Sequence, residues 1–510
     1  MAAPIEIRSF ERWRGTIGLI AGPLLALGVL LLHFSGLPPE AHRLAAIVTL
    51  VIVFWLTEAI PIPVTALLGA ALAVLLGIAP ATRVLSAFGD PVIFLFLGSF
   101  MLARAMQVHG IDRRIAYTLL AHPWVGTSTY RTLWTLGLVA CLLSMWISNT
   151  ACVAMLFPVA LAIARTTGEL IHVDTGDAEA PQLRYTTGLL LMLAYAGSVG
   201  GVATPVGSPP NLIGIALIDQ GTGVRIGFVQ WMMFGVPIAL MLLVAVYGIM
   251  LLLFRPEVRS VPGQRERMRE AARSLGPLSL GERNSLIAFG AAVILWIGPG
   301  LVGVVLGADH PAARTLTERL PEGIVALLAA SLLFLLPVNW RRREFTLRWE
   351  EAVRIDWGTI LLFGGGIALG KLMFDTGLAE GVGRGLIDAL GLRDPALLTG
   401  AAAAVASVLS ETSSNTASAN MVVPVMMSVA NTVGASGLAL GIAATLGASM
   451  GFMLPISTPP NAIVYGSRAV RITDMVRAGL LLDLIGFLIV WASCLWIVPL
   501  ALSFGNLAPR

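Results

Sequence analysis

Two short polar stretches inside long apolar blocks decide how this chain folds. The stretch 144–150 reads SMWISNT and the stretch 410–416 reads SETSSNT. Each lies in the middle of an apolar block, at 132–164 and at 396–433. A Ser-Asn-Thr sequence at the centre of a membrane span would leave hydroxyl and amide groups facing lipid. Both blocks are therefore predicted to form re-entrant hairpins, which enter the membrane and turn back inside the protein.

The composition around these blocks is that of a membrane protein. Of the 510 residues, 57% are hydrophobic and only 12% are charged, against roughly 25% charged residues in an average soluble domain. The apolar runs have the length of spanning helices and contain Gly and Pro, a pattern that favours helices over the strands of a membrane β-barrel. We expect an all-α, polytopic membrane protein with about 11 transmembrane helices in addition to the two hairpins. These helices are predicted near 16–34, 44–60, 63–80, 91–107, 186–218, 226–254, 284–306, 322–337, 358–374, 438–466 and 478–503.

The charges between the spans orient the chain. If both blocks are re-entrant, five Arg-rich segments fall on one side of the membrane, whereas the 375–395 loop on the other side is mainly acidic. The five segments are the N-terminal tail with Arg8, Arg12 and Arg14, the loop with Arg104, Arg113 and Arg114, and the segments 255–283, 338–356 and 466–478. By the positive-inside rule the N-terminus is predicted to be cytoplasmic and the C-terminus external, in an inner (plasma) membrane.

The chain also contains an internal repeat. Asp90 and Asp356 are 266 residues apart, and Ser144 and Ser410 are separated by the same offset. A Pro-Pro-Asn motif recurs 250 residues apart, and a polar insert around 168–184 in the first half accounts for the shorter offset. The predicted units are a first repeat at 1–254, a cytoplasmic loop at 255–283 and a second repeat at 284–510. Because the two hairpins are predicted to enter from opposite sides, the repeat is inverted, which is typical of secondary transporters.

The second pair of motifs interrupts two spanning helices. Residues 204–211 read TPVGSPPN and residues 454–461 read LPISTPPN. Proline removes a backbone donor and stops the helix, so carbonyl oxygens are left free beside hydroxyls and amides. These oxygens suit a cation such as sodium, and the N-termini of the helices that follow attract anionic oxygens. The four breaks contain no Arg or Lys, so an anion there would depend on hydroxyls, amides, helix dipoles and nearby cations. The alternative is that these motifs serve only helix contacts and kinks.

Together, the two Ser-Asn-Thr tips and the two Pro-Pro-Asn breaks resemble the divalent anion/sodium symporter family, over nearly the whole chain. The resemblance implies a homodimer in the lipid bilayer with a fixed scaffold and a moving transport domain, an elevator mechanism. It implies cotransport of sodium ions with a small dianionic substrate, a C4-dicarboxylate such as succinate or malate. The alternatives are sodium-coupled transport of citrate or sulfate, and dicarboxylate exchange without sodium.

The resemblance also implies which residues bind. One sodium site would be formed by Ser144, Ser148, Asn149 and Gly207, and a second by Ser410, Ser413, Asn415 and Ser457. The substrate contacts would be Asn149, Thr150, Ser208, Asn415, Thr416, Thr458 and Pro459. Glu411 is a rare acid inside a membrane segment, either a structural partner or a group in ion coupling. Lys371 is interpreted as a snorkelling or pairing residue.

Other classes of function fit less well. The stretch 447–451, GASMG, has the spacing of a nucleophile elbow but lies in an apolar helix. The glycines before Lys371 approach a phosphate-binding loop, but Leu372 stands where Ser or Thr is needed. The three cysteines show no metal or disulfide spacing. The basic loops explain the net charge of +4, so we do not predict a nucleic-acid-binding protein. The weak motif matches above do not favour an enzyme. A passive anion channel is the remaining alternative.

Overall fold

The computed structural model describes residues 5–32, 36–175, 183–307 and 310–503. Apart from two short antiparallel strands, the regular structure of these residues is helical, which confirms the all-α prediction. The end of the predicted first span, residues 176–182 of the polar insert and residues 504–510 of the C-terminus lie outside the described residues.

The helices of the part before residue 255 are α1 (Ile5–Leu31), α2 (Pro39–Thr57), α3 (Ile62–Leu75), α4 (Ala81–Leu85), α5 (Pro91–His109), α6 (Ile111–Leu120), α7 (Thr129–Ser144), α8 (Asn149–Thr175), α9 (Arg184–Gly200), α10 (Pro209–Thr222) and α11 (Phe228–Leu253). Those that follow are α12 (Gln264–Ser274), α13 (Leu280–Leu306), α14 (Pro311–Arg319), α15 (Glu322–Leu335), α16 (Trp349–Ala352), α17 (Trp357–Asp375), α18 (Leu378–Leu390), α19 (Pro395–Thr412), α20 (Asn415–Val433), α21 (Gly437–Gly447), α22 (Pro459–Gly466) and α23 (Ile472–Ser503). The strands are β1 (Pro337–Asn339) and β2 (Glu344–Phe345).

Within the described residues, nine helices are long and apolar enough to cross a membrane: α1, α2, α5, α8, α11, α13, α17, α19 and α23. Three shorter apolar helices, α3, α15 and α21, coincide with further predicted spans. The multi-pass membrane character is thus confirmed, while the number of crossings stays a prediction. Four helices, α6, α12, α14 and α18, were not predicted from the apolar runs, because they carry charged residues.

Residues that match in the repeat have matching local roles. Asp90 caps α5 by accepting a hydrogen bond from the backbone nitrogen of Val92 at 2.9 Å. Asp356 caps α17 by accepting one from Thr359 at 3.1 Å. Both helices contain 19 residues. The carboxylates satisfy free N–H groups at the helix start, which explains why an acid stands at the edge of each apolar run.

The two halves pack across one another rather than side by side. Helix α5 packs on α15, and its counterpart α17 packs on α3. A Cβ atom at Gly98 would lie 2.5 Å from a backbone atom of Ala326, and one at Gly365 would lie 2.7 Å from a backbone atom of Ala66. Each helix pair therefore meets at backbone distance, through a glycine of one half and an alanine of the other.

The start of α7 and the C-terminal half of α8 lie at the same face of the molecule. At the start of α7, the backbone nitrogen of Thr129 donates to the carbonyl of Arg259 at 3.2 Å. Near the end of α8, the Thr166 hydroxyl accepts from the Arg267 guanidinium at 2.7 Å. Both arginines belong to the 255–283 segment, so the chain returns to the face that it left. Re-entry relative to the membrane stays a prediction.

Three of the segments predicted to be cytoplasmic gather at this face, which we call the basic face. Arg114 donates to the carbonyl of Gly276 at 2.9 Å, which ties the loop after α5 to the 255–283 segment. The His109 ring lies 2.6 Å from the carbonyl oxygen of Thr346, in the 338–356 segment. These contacts between the three segments agree with the prediction that all three lie on one side of the membrane. The orientation of the N-terminus stays a prediction.

Candidate functional site

The four breaks of the chain meet at one cavity of about 570 Å³. Its walls include the N-terminal residues of α8 and α20, which follow the Ser-Asn-Thr tips, and those of α10 and α22, which follow the Pro-Pro breaks. All seven residues predicted to contact substrate line it: Asn149, Thr150, Ser208, Asn415, Thr416, Thr458 and Pro459. The structure therefore places in one cavity residues that are up to 310 positions apart in the sequence.

Cross-packing between the halves positions these helix ends. Helix α10 of the first half packs on α20 and α21 of the second, and α22 of the second half packs on α8 and α9 of the first. Four helix N-termini consequently point their free N–H groups and positive dipole ends toward the same cavity. Such an arrangement favours an anion.

Hydroxyl groups at the helix starts are held by the backbone. Ser148 and Ser414 accept hydrogen bonds from Ala151 at 3.3 Å and from Ala417 at 3.1 Å. Thr458 accepts one from the backbone nitrogen of Asn461 at 3.4 Å. Each bond occupies a lone pair and leaves the hydroxyl hydrogen unused. These three groups can therefore donate to an anion in the cavity that they line.

Two asparagines that the sequence analysis did not assign hold the broken segments open. The side-chain nitrogen of Asn211 donates to the carbonyls of Gly201 and Thr204 at 2.7 and 2.8 Å. That of Asn461 donates to the carbonyls of Phe452 and Leu454 at 3.3 and 3.1 Å. Both side chains are fully buried. The third residue of each Pro-Pro-Asn motif thus replaces the helix hydrogen bonds that the break has lost, a role that its position in both motifs could have indicated.

Oxygen atoms of the first predicted sodium site converge on Asn149. The Ser144 hydroxyl lies 2.6 Å from the Asn149 side-chain amide. The carbonyl oxygens of Gly207 and Gly197 lie 3.2 and 3.3 Å from the same end of that amide. With its nitrogen turned toward them, the two amide hydrogens can be shared among these three oxygen atoms. With its oxygen turned toward them, four oxygen atoms face one another, as in a site for a hard cation.

The second predicted sodium site repeats part of this geometry. The Ser410 hydroxyl lies 2.7 Å from the side-chain oxygen of Asn415 and 2.7 Å from the carbonyl oxygen of Ala448. Ser457 lines the cavity. Ser413 is buried at the end of α19, where its hydroxyl donates to the carbonyl of Leu409 at 2.8 Å. The lining residues also include Ser148 and Gly207, whereas Ser144, Ser410 and Ser413 are not among them. The sodium-binding roles stay predictions.

Two cationic side chains also line the cavity, and neither was predicted from the sequence as a site residue. Arg104 lies within α5 rather than in the loop after it, is half-buried, and lines the cavity together with Gln107. Arg354 comes from the other half, just before Asp356 at the start of α17, and is exposed. Arg104 was assigned to a loop because it lies near the end of an apolar run. The rarity of charge within a membrane helix was the signal that could have identified it.

Glu411 is the acid closest to the second break. Its side chain is 3% exposed and accepts hydrogen bonds from the backbone nitrogens of Phe452, Met453 at 2.9 Å and Leu454 at 3.2 Å. It also accepts one from the Ser457 hydroxyl at 2.7 Å. One of the two roles predicted for Glu411 was structural. These contacts show that Glu411 binds the unwound segment before α22.

The chain is similar to known proteins over nearly its whole length. Residues 15–502 match the protein family described as the sodium:sulfate symporter transmembrane region. The sodium-dependent dicarboxylate transporter SdcS of Staphylococcus saprophyticus is 33% identical over 497 residues, which cover 97% of this chain and 93% of that protein. SdcS of Staphylococcus aureus strain RF122 is 33% identical over 490 residues, 96% of this chain and 92% of that protein.

Two solved structures share the fold at low sequence identity. The YdaH transporter of Alcanivorax borkumensis aligns with a TM-score of 0.54 and 14% identity, over 92% of this chain and 99% of that one. MtrF of Neisseria gonorrhoeae, an antimetabolite efflux pump, aligns with a TM-score of 0.53 and 12% identity, over 92% and 97%. These likenesses concern the arrangement of the helices alone.

Proposed function

Because the chain belongs to the sodium:sulfate symporter family, we propose that it is a secondary active transporter that couples the entry of sodium ions to the uptake of a C4-dicarboxylate such as succinate or malate. Membership confirms the family predicted from the four motifs, and it makes the protein a membrane transporter rather than an enzyme. We propose a dicarboxylate because the SdcS relatives are named as dicarboxylate transporters. The C4 length is our own proposal.

The observation that carries the proposal is the cavity at four helix N-termini. A dicarboxylate has two anionic ends, and the cavity offers two equivalent sets of donors, one at Asn149 and Thr150 and one at Asn415 and Thr416. Arg104 and Arg354 add two positive side chains to the wall, against one acidic side chain, Asp356. A dianion is thus met by dipoles, hydroxyls and two guanidinium groups, which supports anion binding in a largely apolar protein.

Sodium is proposed to bind behind the two tips before the anion does. The contacts of Ser144 with Asn149 and of Ser410 with Asn415 place a serine hydroxyl beside an asparagine amide at equivalent positions in the two halves. Sodium at these positions would order the tips and add positive charge next to the anion. Binding is then reciprocal, so the substrate should tighten the binding of sodium by the same factor.

The proposed transport mechanism is of the elevator type, in a homodimer whose moving domain carries the cavity. The helices that flank the four breaks, α7 to α10 and α19 to α22, pack on one another across the halves and are proposed to move as one body. Helix α5 and the start of α17 complete the cavity wall. The cavity wall contains residues 354–356, the end of a segment of the basic face. If that face is cytoplasmic, the structure represents an inward-facing state.

Uptake of labelled succinate into proteoliposomes tests this function. We expect uptake against the succinate gradient when sodium is applied outside, and loss of uptake when choline replaces sodium. With more than two sodium ions per dianion, an inside-negative potential would accelerate uptake, each net charge contributing about 2.3 kcal/mol per 100 mV. Uptake that is unchanged in choline and driven by internal succinate would instead identify an exchanger.

Sulfate is the second candidate substrate, because the matched family is described as one of sodium:sulfate symporters. A competition series of succinate, malate, citrate, aspartate and sulfate against labelled succinate separates the candidates. Inhibition by succinate and malate with little effect of sulfate supports the dicarboxylate. The reverse order would replace it.

A further inference from the structure

The two predicted sodium sites differ in one respect that the repeat does not lead one to expect. Glu411 follows Ser410 directly and is nearly fully buried. At the offset of 266 residues, its counterpart after Ser144 is Met145. Ser457 corresponds, at the offset of 250 residues, to Gly207. The second half therefore contains an acid and a hydroxyl where the first half has a thioether and no side chain.

The acid and the hydroxyl are bonded to each other. One carboxylate oxygen of Glu411 lies 2.7 Å from the Ser457 hydroxyl. This hydroxyl also lies 2.8 Å from the carbonyl of Leu454, but it has a single hydrogen, and a carboxylate is the stronger acceptor. The hydroxyl hydrogen therefore points to Glu411. One lone pair of the Ser457 oxygen accepts the N–H of Leu454 at 3.2 Å, and the other is left for a cation.

Glu411 also fixes the backbone on which Ser457 is carried. It accepts the N–H groups of Phe452, Met453 and Leu454, while Asn461 donates to the carbonyls of Phe452 and Leu454. In the first half, Asn211 holds the carbonyls in the same way. At the Glu411 position, however, the backbone carbonyl of Met145 accepts from Thr204. In the first break the Thr204 hydroxyl also accepts the N–H of Gly207, at 3.1 Å. Among the described residues, the two breaks thus differ in that a carboxylate holds three N–H groups of the second, whereas a hydroxyl holds one N–H group of the first.

Resting on the proposed sodium-coupled function, we propose that Glu411 is the positioning carboxylate of the second sodium site and makes it the stronger of the two. A charge-assisted hydrogen bond orients Ser457 and increases the electron density on its oxygen. The carboxyl group of Glu411 lies one hydroxyl away from the proposed cation position, in surroundings of low dielectric constant, and the buried carboxyl group of Asp483 interacts with it. The first site has only neutral groups at these positions, so it is expected to fill at higher sodium concentration.

The test measures succinate uptake by proteoliposomes as a function of sodium concentration. In Glu411→Gln, which keeps the size of the side chain, we expect the half-saturating sodium concentration to rise about tenfold or more. The maximal rate at saturating sodium should stay close to that of the wild type. Glu411→Asp keeps the charge but draws it back by one methylene, so it should give an intermediate increase. This partial rescue separates charge from shape.

Glu282→Gln is the matched control. Glu282 is also a buried glutamate, 5% exposed, and accepts from the backbone nitrogen of Ser279 at 2.7 Å and from Arg114. It belongs to the basic face and does not line the cavity. Its loss should lower stability without shifting the sodium dependence of uptake.

The outcomes separate this inference from the proposed function. If wild-type uptake does not depend on sodium, the proposed function fails. If it does depend on sodium and Glu411→Gln retains the wild-type half-saturating concentration, the role of Glu411 is refuted. Should Glu411→Gln be inactive, the thermal stability of the purified variants is measured against sodium. A stabilisation that needs more sodium in Glu411→Gln and Glu411→Asp supports the role, and an unchanged sodium requirement overturns it.

Discussion

Replacing Asn211 by alanine tests whether the Pro-Pro-Asn asparagines hold the breaks open. The Asn211 amide makes two short bonds, to the carbonyls of Gly201 and Thr204 at 2.7 and 2.8 Å, and is fully buried. Alanine would remove the side-chain donor from the Gly201 carbonyl oxygen, at a cost of about 1–3 kcal/mol. It would leave the Thr204 carbonyl with only the N–H of Gly207 at 3.3 Å, at a smaller cost. The side-chain oxygen of Asn211 has no hydrogen-bond partner, so its removal offsets part of this cost. We expect a net loss of about 2–4 kcal/mol.

The equivalent change in the second half should cost less. The bonds of Asn461 are longer, 3.3 and 3.1 Å, and Glu411 still holds the same segment through its N–H groups. We therefore expect Asn461→Ala to lose about 1–2 kcal/mol. Asn339→Ala, at the end of β1, removes only an exposed bond to the backbone of Arg342 and serves as the control.

Thermal unfolding of the purified protein, followed by tryptophan fluorescence in detergent, gives the order of the variants. The expected order of melting temperature is wild type and Asn339→Ala highest, then Asn461→Ala, then Asn211→Ala. Sodium-dependent uptake should fall in the same order, because the broken segments carry the cavity wall. Equal melting temperatures for all four proteins, or a lower one for Asn461→Ala than for Asn211→Ala, would refute the reasoning.

Three further predictions concern the cavity and the helix contacts. Asn149→Ala and Asn415→Ala should each abolish succinate uptake while the protein still elutes as the wild type in gel filtration, and wild-type rates in both would remove these residues from the site. Arg104→Gln or Arg354→Gln should raise the KM for succinate several-fold with a smaller effect on kcat, since each removes a positive charge from the wall; an unchanged KM in both would show that the guanidinium groups do not attract the substrate. Gly365→Leu should destabilise the protein by about 1–3 kcal/mol through overpacking, measured as a lower melting temperature, and a wild-type value would contradict the close contact of α17 with α3.

Much of the fold could be predicted from the sequence because the signals are local. An apolar run of the length of a membrane predicts a helix whatever lies around it, and proline with small polar residues interrupts that helix in any context. The breaks at 145–148, 201–208, 413–414 and 448–458 consequently lie where the motifs indicated. The amphipathic helices escaped this reading, because a helix with charges on one side has no long apolar run. Arg104 was misplaced for a related reason, since hydropathy does not define the end of a helix to within one turn.

The candidate site was only partly accessible from the sequence. Composition and the motifs alone determined that the protein lies in a membrane and which hydroxyls and amides stand at the breaks, and they predicted the internal repeat. That α10 and α22 each pack on the opposite half, and so bring four helix ends to one cavity, was decided by tertiary structure. The same holds for Arg354 at the cavity wall and for the carboxylate of Glu411 on the segment 452–454. Local chain chemistry fixes where a helix ends, but which ends meet depends on close packing between residues hundreds of positions apart, and no local pattern encodes that.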